Sequence, residues 1–410
     1  LSGKVKKKTR WTRFRHRVVR NIIYPFAWLY SRLVYRLKIK KFKEQEKRPY
    51  LILYNHQTSF DQFFVGVGFR GPVYYVASED IFSSKFLAWL LNFLVAPIPI
   101  NKAKADLRSV ITCMKVASEG GTIAIAPEGN RTYSGRTCYI KPSITMLVKK
   151  LKLPVAFFKI EGGYGVQPRW SNVVRRGSMT AGVSRVLMPE EYANMSDDEL
   201  YKLICDELYV DEAKLSGLYK HRKSAEHLER LIYVCPDHGL SSFESKGNRI
   251  TCKKCGLSAI YLPTKELSFD KEGEYPRFVA DWYDRQEKYI SSMEPSLGGE
   301  GPLYTDTARL SSVEIARYKK LITKKARISL YNDKIEISGP KDFKLVLSFD
   351  DIGSITALGK NKMNIRSGGS IWQIKGDLSF NPVKYMNFYY RYRNIREGDD
   401  KTHGSQFLGF

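Results

Sequence analysis

The chain has 410 residues, 43% of them hydrophobic and 27% charged, with a formal net charge of +26. That length accommodates several domains, and the supply of aliphatic and aromatic residues excludes an intrinsically disordered chain. The charge is uneven: residues 1–50 hold seventeen Lys/Arg against only Glu44 and Glu46, +15 of the +26, which directs this end toward an anionic partner, a membrane surface or a nucleic acid.

Within that stretch Ile22, Phe26, Leu29, Leu33 and Leu37 recur at helical spacing, with Tyr24, Trp28, Tyr30 and Tyr35 around them and Arg32 and Arg36 interspersed. The pattern predicts a basic, aromatic-rich amphipathic helix within residues 1–45. Such a helix lies in a lipid headgroup layer, where each basic residue contributes on the order of 1 kcal/mol. Pro25 marks a kink or a helix start. An apolar run from Tyr50 to Tyr54 then leads into Asn55-His56-Gln57-Thr58-Ser59-Phe60-Asp61. His56 and Asp61 are spaced to form one catalytic pair, a neutral imidazole that takes a hydroxyl proton and a carboxylate that fixes its tautomer. Farther on, Thr122 to Ala126 reads as a buried strand feeding Pro127-Glu128-Gly129-Asn130-Arg131-Thr132-Tyr133-Ser134-Gly135. Gly129 permits close backbone approach to a ligand, Arg131 offers a planar fork for phosphate oxygens, and Glu128 can hold that arginine or a substrate hydroxyl.

Together, and in this order, the two blocks resemble the glycerolipid acyltransferase family, typified by the bacterial 1-acylglycerol-3-phosphate acyltransferases, which carry an Asn-His-…-Asp block followed by Glu-Gly-Thr-Arg-Ser. Pro97-Ile98-Pro99-Ile100-Asn101-Lys102 and Leu153-Pro154-Val155-Ala156-Phe157-Phe158 stand where the family's weaker blocks are expected. Lys102 replaces the usual arginine, Asn130 a threonine and Thr132 a serine; lysine keeps the charge but not the bidentate fork. The resemblance spans about Tyr50 to Leu215. It implies an α/β catalytic domain over residues 46–215, with a mixed, largely parallel sheet flanked by helices. It further implies His56 as general base oriented by Asp61, with Glu128, Gly129, Arg131 and Lys102 binding the acceptor phosphate and an acyl-CoA or acyl carrier protein thioester as donor. The implied reaction is acylation of a lysophospholipid in phospholipid biosynthesis, foremost 1-acylglycerol 3-phosphate to phosphatidate. Glycerol 3-phosphate or another lysophospholipid is the alternative acceptor. A covalent route would need Cys113 or Cys138, neither of which has a histidine nearby in sequence. Phe86 to Ile100 is uncharged and apolar but contains Pro97 and Pro99; it lines the acyl-chain site, dips into the interface, or is a buried helix.

No segment reaches the ~18 apolar residues of a spanning helix, so a peripheral (monotopic) position on an anionic phospholipid membrane is expected. The first residues lack a signal peptide's apolar core and cleavage site, and the cytoplasmic face of a membrane is expected. Ser196 and Glu199 have capping-box spacing ahead of a helix through Leu203 and Leu208. Cys235-Pro236-Asp237-His238 and Cys252-Lys253-Lys254-Cys255 then present paired soft ligands, and Cys235, His238, Cys252 and Cys255 suit one tetrahedral Zn2+ in a zinc ribbon over residues 230–262. Four protein ligands leave no open position, so the zinc would be structural. Residues 263–301 read as a helix and linker, ending in the breaker-rich Glu294 to Pro302 stretch. Residues 302–398 form a mainly β module: Ile328 and Leu330, Ile335 and Ile337, Leu345 to Phe349, and Ile371 and Gln373 alternate, with turns at Asn332-Asp333 and Ser367-Gly368-Gly369. A last helix begins near Pro382 with Asn381 as its cap, giving a pleckstrin-homology-like order of elements. A nucleic-acid-binding zinc protein would explain the charge but not the ordered His56/Asp61 and Glu128/Arg131 blocks, so nucleic acid is not the expected partner. A catalytically silent membrane adaptor is the remaining alternative.

Overall fold

The structure is a computed structural model that describes residues 10–43, 49–79, 85–100, 107–293, 301–314 and 318–397. The first helix, α1 (Phe14–Leu33), carries Pro25 inside it and buries only His16, Ala27 and Ser31. Its large apolar side chains face outward, with Phe14, Ile22, Phe26 and Leu33 exposed to 79, 59, 71 and 67%. Leu37, expected on the same apolar stripe, has left the helix. Arg36 adopts a left-handed φ of 50°, which turns the chain, and Leu37 is buried in β1 (Leu37–Ile39).

The α/β domain continues through β2 (Leu51–Tyr54), α2 (Asp61–Gly68), β3 (Val73–Ser78), α3 (Lys85–Leu94), β4 (Ile98–Ile100), α4 (Leu107–Ser118) and β5 (Thr122–Ile125). It is completed by α5 (Ile144–Leu151), β6 (Val155–Glu161), α6 (Gly163–Val166), β7 (Met179–Leu187), α7 (Pro189–Tyr192) and α8 (Asp197–Leu208). The seven strands lie in the order β1-β7-β6-β2-β5-β3-β4. Only the β6/β7 pairing is antiparallel, so the sheet is mixed and largely parallel.

The central strands are continuous apolar runs because both faces are covered. Leu51, Leu53, Ile123 and Phe157 enter one core, whereas Ile52, Ala124, Ala156 and Phe158 enter the core on the other side. Parallel pairing of β2 with β5 puts their C-terminal ends side by side. The loops after these two strands therefore emerge together, although 72 residues separate His56 from Glu128. The capping box closes as its spacing predicts: Ser196 Oγ accepts from Glu199 N–H at 3.2 Å, and Glu199 Oε2 accepts from Ser196 N–H at 2.8 Å. Among the described residues no helix is long and apolar enough to cross a membrane.

The chain next forms a hairpin, β8 (Val234–Cys235) and β9 (Gly239–Leu240), and a four-stranded antiparallel sheet, β10 (Phe243–Lys246), β11 (Arg249–Cys252), β12 (Ser258–Tyr261) and β13 (Leu267–Phe269). Helix α9 (Val279–Ser292) follows. The last part is β14 (Tyr304–Glu314), β15 (Tyr318–Leu330), β16 (Lys334–Gly339), β17 (Phe343–Ser348), β18 (Ile352–Leu358), β19 (Lys362–Ser367), β20 (Ser370–Lys375) and α10 (Pro382–Glu397). These strands form one antiparallel sheet in the order β17-β16-β15-β14-β20-β19-β18. Asn381 Oδ1 caps α10, accepting from Val383 and Lys384 N–H at 2.9 and 3.2 Å. The expected linker lies mostly outside the described residues.

Segments that read in sequence as separate modules share one core. Phe243 and Cys252 of the small sheet, Trp282 of α9, Ile328 and Tyr389 of the last module, and Tyr133 and Trp170 of the α/β domain belong to a single apolar cluster. Arg136 adds a polar tie, pairing with Asp211 at 3.2 Å, with Asp281 at 3.1 Å and with Asp284.

Candidate active site

Asp61 opens α2 and is fully buried. Its carboxylate accepts from Gln57 N–H at 2.7 Å, from Thr58 N–H at 2.9 and 3.0 Å, and from Thr58 Oγ1 at 2.6 Å. His56 Nδ1 lies 2.7 Å from Asp61 Oδ2. An ionised carboxylate only accepts, so Nδ1 carries the proton and the ring lone pair is on Nε2. The loop is anchored from below: Asn55 exchanges hydrogen bonds with the backbone of Ile160 at 2.7 and 2.8 Å.

Glu128 is held by backbone groups on both sides. One oxygen accepts from His56 N–H and the other from Cys138 N–H, both at 2.7 Å, so the carboxylate stitches the two motif loops together. Thr132 N–H donates back to His56 O at 3.0 Å, completing the stitch. Burial pushes the Glu128 carboxyl up to about 8, while the two backbone donors favour its ionised form. Glu128→Gln should therefore lower stability by ~1–3 kcal/mol, because an amide accepts on one side only and sets its own NH₂ against a backbone N–H. Thermal melting of the variant checks this; an unchanged midpoint would mean that the stitch contributes nothing.

Gly129 has φ +70°, a left-handed conformation that glycine adopts without strain, and a Cβ added there would meet nothing within 4 Å. Arg131 makes no hydrogen bond or ion pair with another described side chain. Burial, then the nearby Arg169 charge, lowers its guanidinium to about 10. Lys102 lies outside the described residues. His56, Glu128 and Gly129 open onto a cavity of about 1010 Å³ that runs between the sheet and α1, α3, α4 and α5, where Leu91, Leu94 and Leu147 are among its apolar walls. Phe86–Ile100 thus does two things: Leu91, Pro97 and Ile100 line this cavity, while Phe86 and Trp89 are exposed to 70 and 59%.

Residues 36–159 match the family model described as Acyltransferase. This segment is an acyltransferase-family domain. It resembles the 1-acyl-sn-glycerol-3-phosphate acyltransferase BAT2, chloroplastic, of Brassica napus, at 23% identity over 161 residues, 39% of this chain and 44% of that protein. The chain thus spans less than half the length of the curated relative it matches. Among solved structures, the 1-acyl-sn-glycerophosphate acyltransferase PlsC of Thermotoga maritima aligns at 18% identity and a TM-score of 0.40, covering 47% of this chain and 78% of that one. The N-terminal PH domain of human ARAP2 aligns at 11% identity and a TM-score of 0.19, covering 25% and 87%.

In the acyltransferase domain both candidate cysteines are poor nucleophiles. Burial pushes the Cys113 thiol up to about 12 and Cys138 well above its ordinary value, so neither offers a thiolate near neutral pH. Sequence reading passed over Thr58, which braces Asp61, and Arg169, whose guanidinium donates to Arg131 O at 3.0 Å. Thr58 could have been suspected from its place between His56 and Asp61; Arg169 carries no local signal.

Outside the acyltransferase domain, the ligand atoms of Cys235, His238, Cys252 and Cys255 all lie within 4.8 Å of one another. Cys235 Sγ and Cys255 Sγ are 3.7 Å apart, and His238 Nε2 and Cys252 Sγ 3.3 Å. Tetrahedral sites with metal–sulfur bonds of ~2.3 Å have edges of about this length. The β8/β9 hairpin pairs Cys235 with Gly239, and β11 ends at Cys252, so two tight turns present the four groups to one point.

Proposed function

We propose that this protein transfers an acyl group from an acyl-CoA or acyl carrier protein thioester to the free hydroxyl of a lysophospholipid, 1-acylglycerol 3-phosphate being the leading acceptor and phosphatidate the product. The observation that carries this reading is the His56–Asp61 pair, 2.7 Å apart, with His56 in the wall of a largely apolar cavity. Nε2 of His56 takes the proton from the acceptor hydroxyl as its oxygen attacks the thioester carbonyl carbon. The C–S bond then breaks, and the departing thiolate takes the proton from the imidazolium that Asp61 has stabilised. Arg131, which forms no ion pair among the described residues, is suited to an acceptor phosphate, beside a Gly129 backbone that lets the ligand come close. The test is to incubate pure protein with thioester donors and a panel of glycerolipid acceptors, including glycerol 3-phosphate, and follow products by mass spectrometry. Transfer to a phosphorylated acceptor supports the reading; transfer to none of them rejects it.

The cysteine–histidine cluster is read as a structural zinc site. Three thiolates and one imidazole fill a tetrahedral shell, so a bound ion would cross-link the hairpin to β11 without activating water.

The membrane is read as the working surface, on its cytoplasmic face, with the chain peripheral to it. Arg15 joins α1 to α3, its guanidinium 4.6 Å from the Phe93 ring centre and its Nη2 donating to Asn92 O at 3.4 Å. Exposed aromatics thus stand on two helices that Arg15 ties together, beside the cavity that would receive an acyl chain, as a membrane-facing surface requires. All six cysteines are free, as a reducing compartment requires. Replacing Phe26, Phe86 and Trp89 together by serine should lower partitioning onto anionic vesicles at least about ten-fold, since each would otherwise bury most of an aromatic side chain. Equal cosedimentation of variant and wild type would reject the surface.

A further inference from the structure

The C-terminal module reaches the cavity that holds His56. Gly353, Ser354 and Thr356 of β18 and Tyr390 and Arg393 of α10 are part of its lining. The strand's own pattern explains how. Ile355 and Ala357 enter the module's core, so Ser354 and Thr356 share the opposite face. Ile352 is also a core residue, three positions before Ile355, and strict alternation would not allow both. Pairing with β19 runs Ile352↔Ser367 and then Ser354↔Arg366, leaving Gly353 as the extra residue of a bulge. The bulge resets the phase and aims the two hydroxyls out of the module and at the cavity.

Ser354 is 6% exposed, and its Oγ and the Oγ1 of Thr356 are buried with no hydrogen-bond partner among the described residues. Burying an unpaired hydroxyl is unfavourable, and alanine and valine would fill the same space without that cost. Their position is also tied to the loop that carries Arg131. The Arg169 guanidinium donates from Nη1 to Arg131 O at 3.0 Å and from Nη2 to Ala357 O at 3.2 Å, so one planar group spans the distance from that loop to β18. Arg366 of β19 pairs with Glu79 of the α/β domain at 3.1 Å, a second tie across the same boundary. Just past β18, Lys360 Nζ donates to Asn172 Oδ1 at 3.1 Å, an oxygen that Arg230 also contacts at 3.0 Å. Burial, followed by the Arg230 and Arg131 charges, lowers the Lys360 amine to about 8. The boundary is thus positively charged, and an anion entering it would be stabilised from both sides.

We propose that the C-terminal module forms one wall of the substrate site and that Ser354 and Thr356 donate hydrogen bonds to the phosphate-bearing end of a substrate entering this basic boundary. The ligand class rests on the acyl-transfer reading above. That end belongs either to a lysophospholipid acceptor or to the carrier portion of the thioester donor, and two hydroxyls serve either equally well.

The test uses the full chain carrying Ser354→Ala and Thr356→Val together, which removes both hydroxyls at nearly constant volume. Because neither hydroxyl has a partner among the described residues, the melting temperature should not fall. KM should rise roughly ten-fold, the worth of two neutral hydrogen bonds, with the effect concentrated in KM rather than kcat. A rise confined to lysophosphatidate, and absent with monoacylglycerol, assigns the site to the acceptor. A rise confined to palmitoyl-CoA, and absent with a truncated thioester, assigns it to the donor. Unchanged KM for both substrates overturns the proposal, as does a fall in melting temperature with KM unaltered. If wild-type protein transfers to no acceptor, the catalytic reading fails by itself, and the wall is then judged by equilibrium binding of lysophosphatidate and of palmitoyl-CoA. Weaker binding of either ligand to the double variant sustains the proposal, and equal binding of both overturns it.

Discussion

His56→Ala should reduce acyl transfer by about 10²–10⁴-fold, the usual contribution of a positioned general base, while leaving the melting temperature nearly unchanged. The two effects separate because the roles of His56 separate. Its backbone N–H bonds Glu128 and its carbonyl accepts from Thr132, and alanine keeps both. Only the ring, with its contact to Asp61 at 2.7 Å, is lost. The Asp61 carboxylate retains its donors from Gln57 and Thr58, so the loop stays tethered. Single-turnover rates with a thioester donor and the preferred acceptor, read beside thermal melts, check this. Wild-type transfer in the variant would remove His56 from the chemistry, and a collapsed melt would show that the ring matters for folding instead.

The second large effect concerns metal. Purified protein should contain one zinc per chain, and stripping it with a chelator, or replacing Cys252 by serine, should unfold the ribbon and lower overall stability by several kcal/mol; structural zinc in small finger peptides binds with ~10–16 kcal/mol at neutral pH. The loss should not stay local. Cys235 and Cys252 are buried in the same apolar cluster as Trp282, Tyr233 and Tyr389, so loosening the ribbon loosens the support of α10 as well. Since α10 and β18 line the cavity, transfer activity should fall with the metal. Metal analysis, Trp282 fluorescence and a transfer assay on one chelator titration read all three together. Absence of zinc from carefully purified protein, or a metal-free form that melts like the native one, would end the zinc assignment.

Some features could be read directly because they are local. The His56 and Asp61 side chains meet within one loop, the ribbon ligands are paired three positions apart, and the Ser196/Glu199 and Asn381 caps are made within three residues. Other features were hidden because their partners are distant or are backbone atoms. The bonds of Glu128 to the N–H groups of His56 and Cys138 left no signal in its glycine-bearing loop. Strands β14, β18 and β19 escaped notice since their apolar residues do not alternate cleanly: β14 mixes exposed and buried positions along eleven residues, and the bulge at Gly353 breaks the period of β18. Leu37 continued a helical pattern that the backbone abandons at Arg36.

The sequence by itself determined the chemistry on offer: a base with its acid, an arginine fork suited to an anion, four soft ligands, and parallel strands apolar enough to be covered on both faces. These are short-range properties, set by residue type and spacing of a few positions. Tertiary structure alone decided which of those groups face one cavity. It brought the loops after β2 and β5 together through parallel pairing, turned the aromatic face of α1 outward, and laid β18 against the Arg131 loop through Arg169. Contacts across 72 and 188 residues leave no periodic trace in a chain, because they are fixed by how covered sheets pack and not by any local preference.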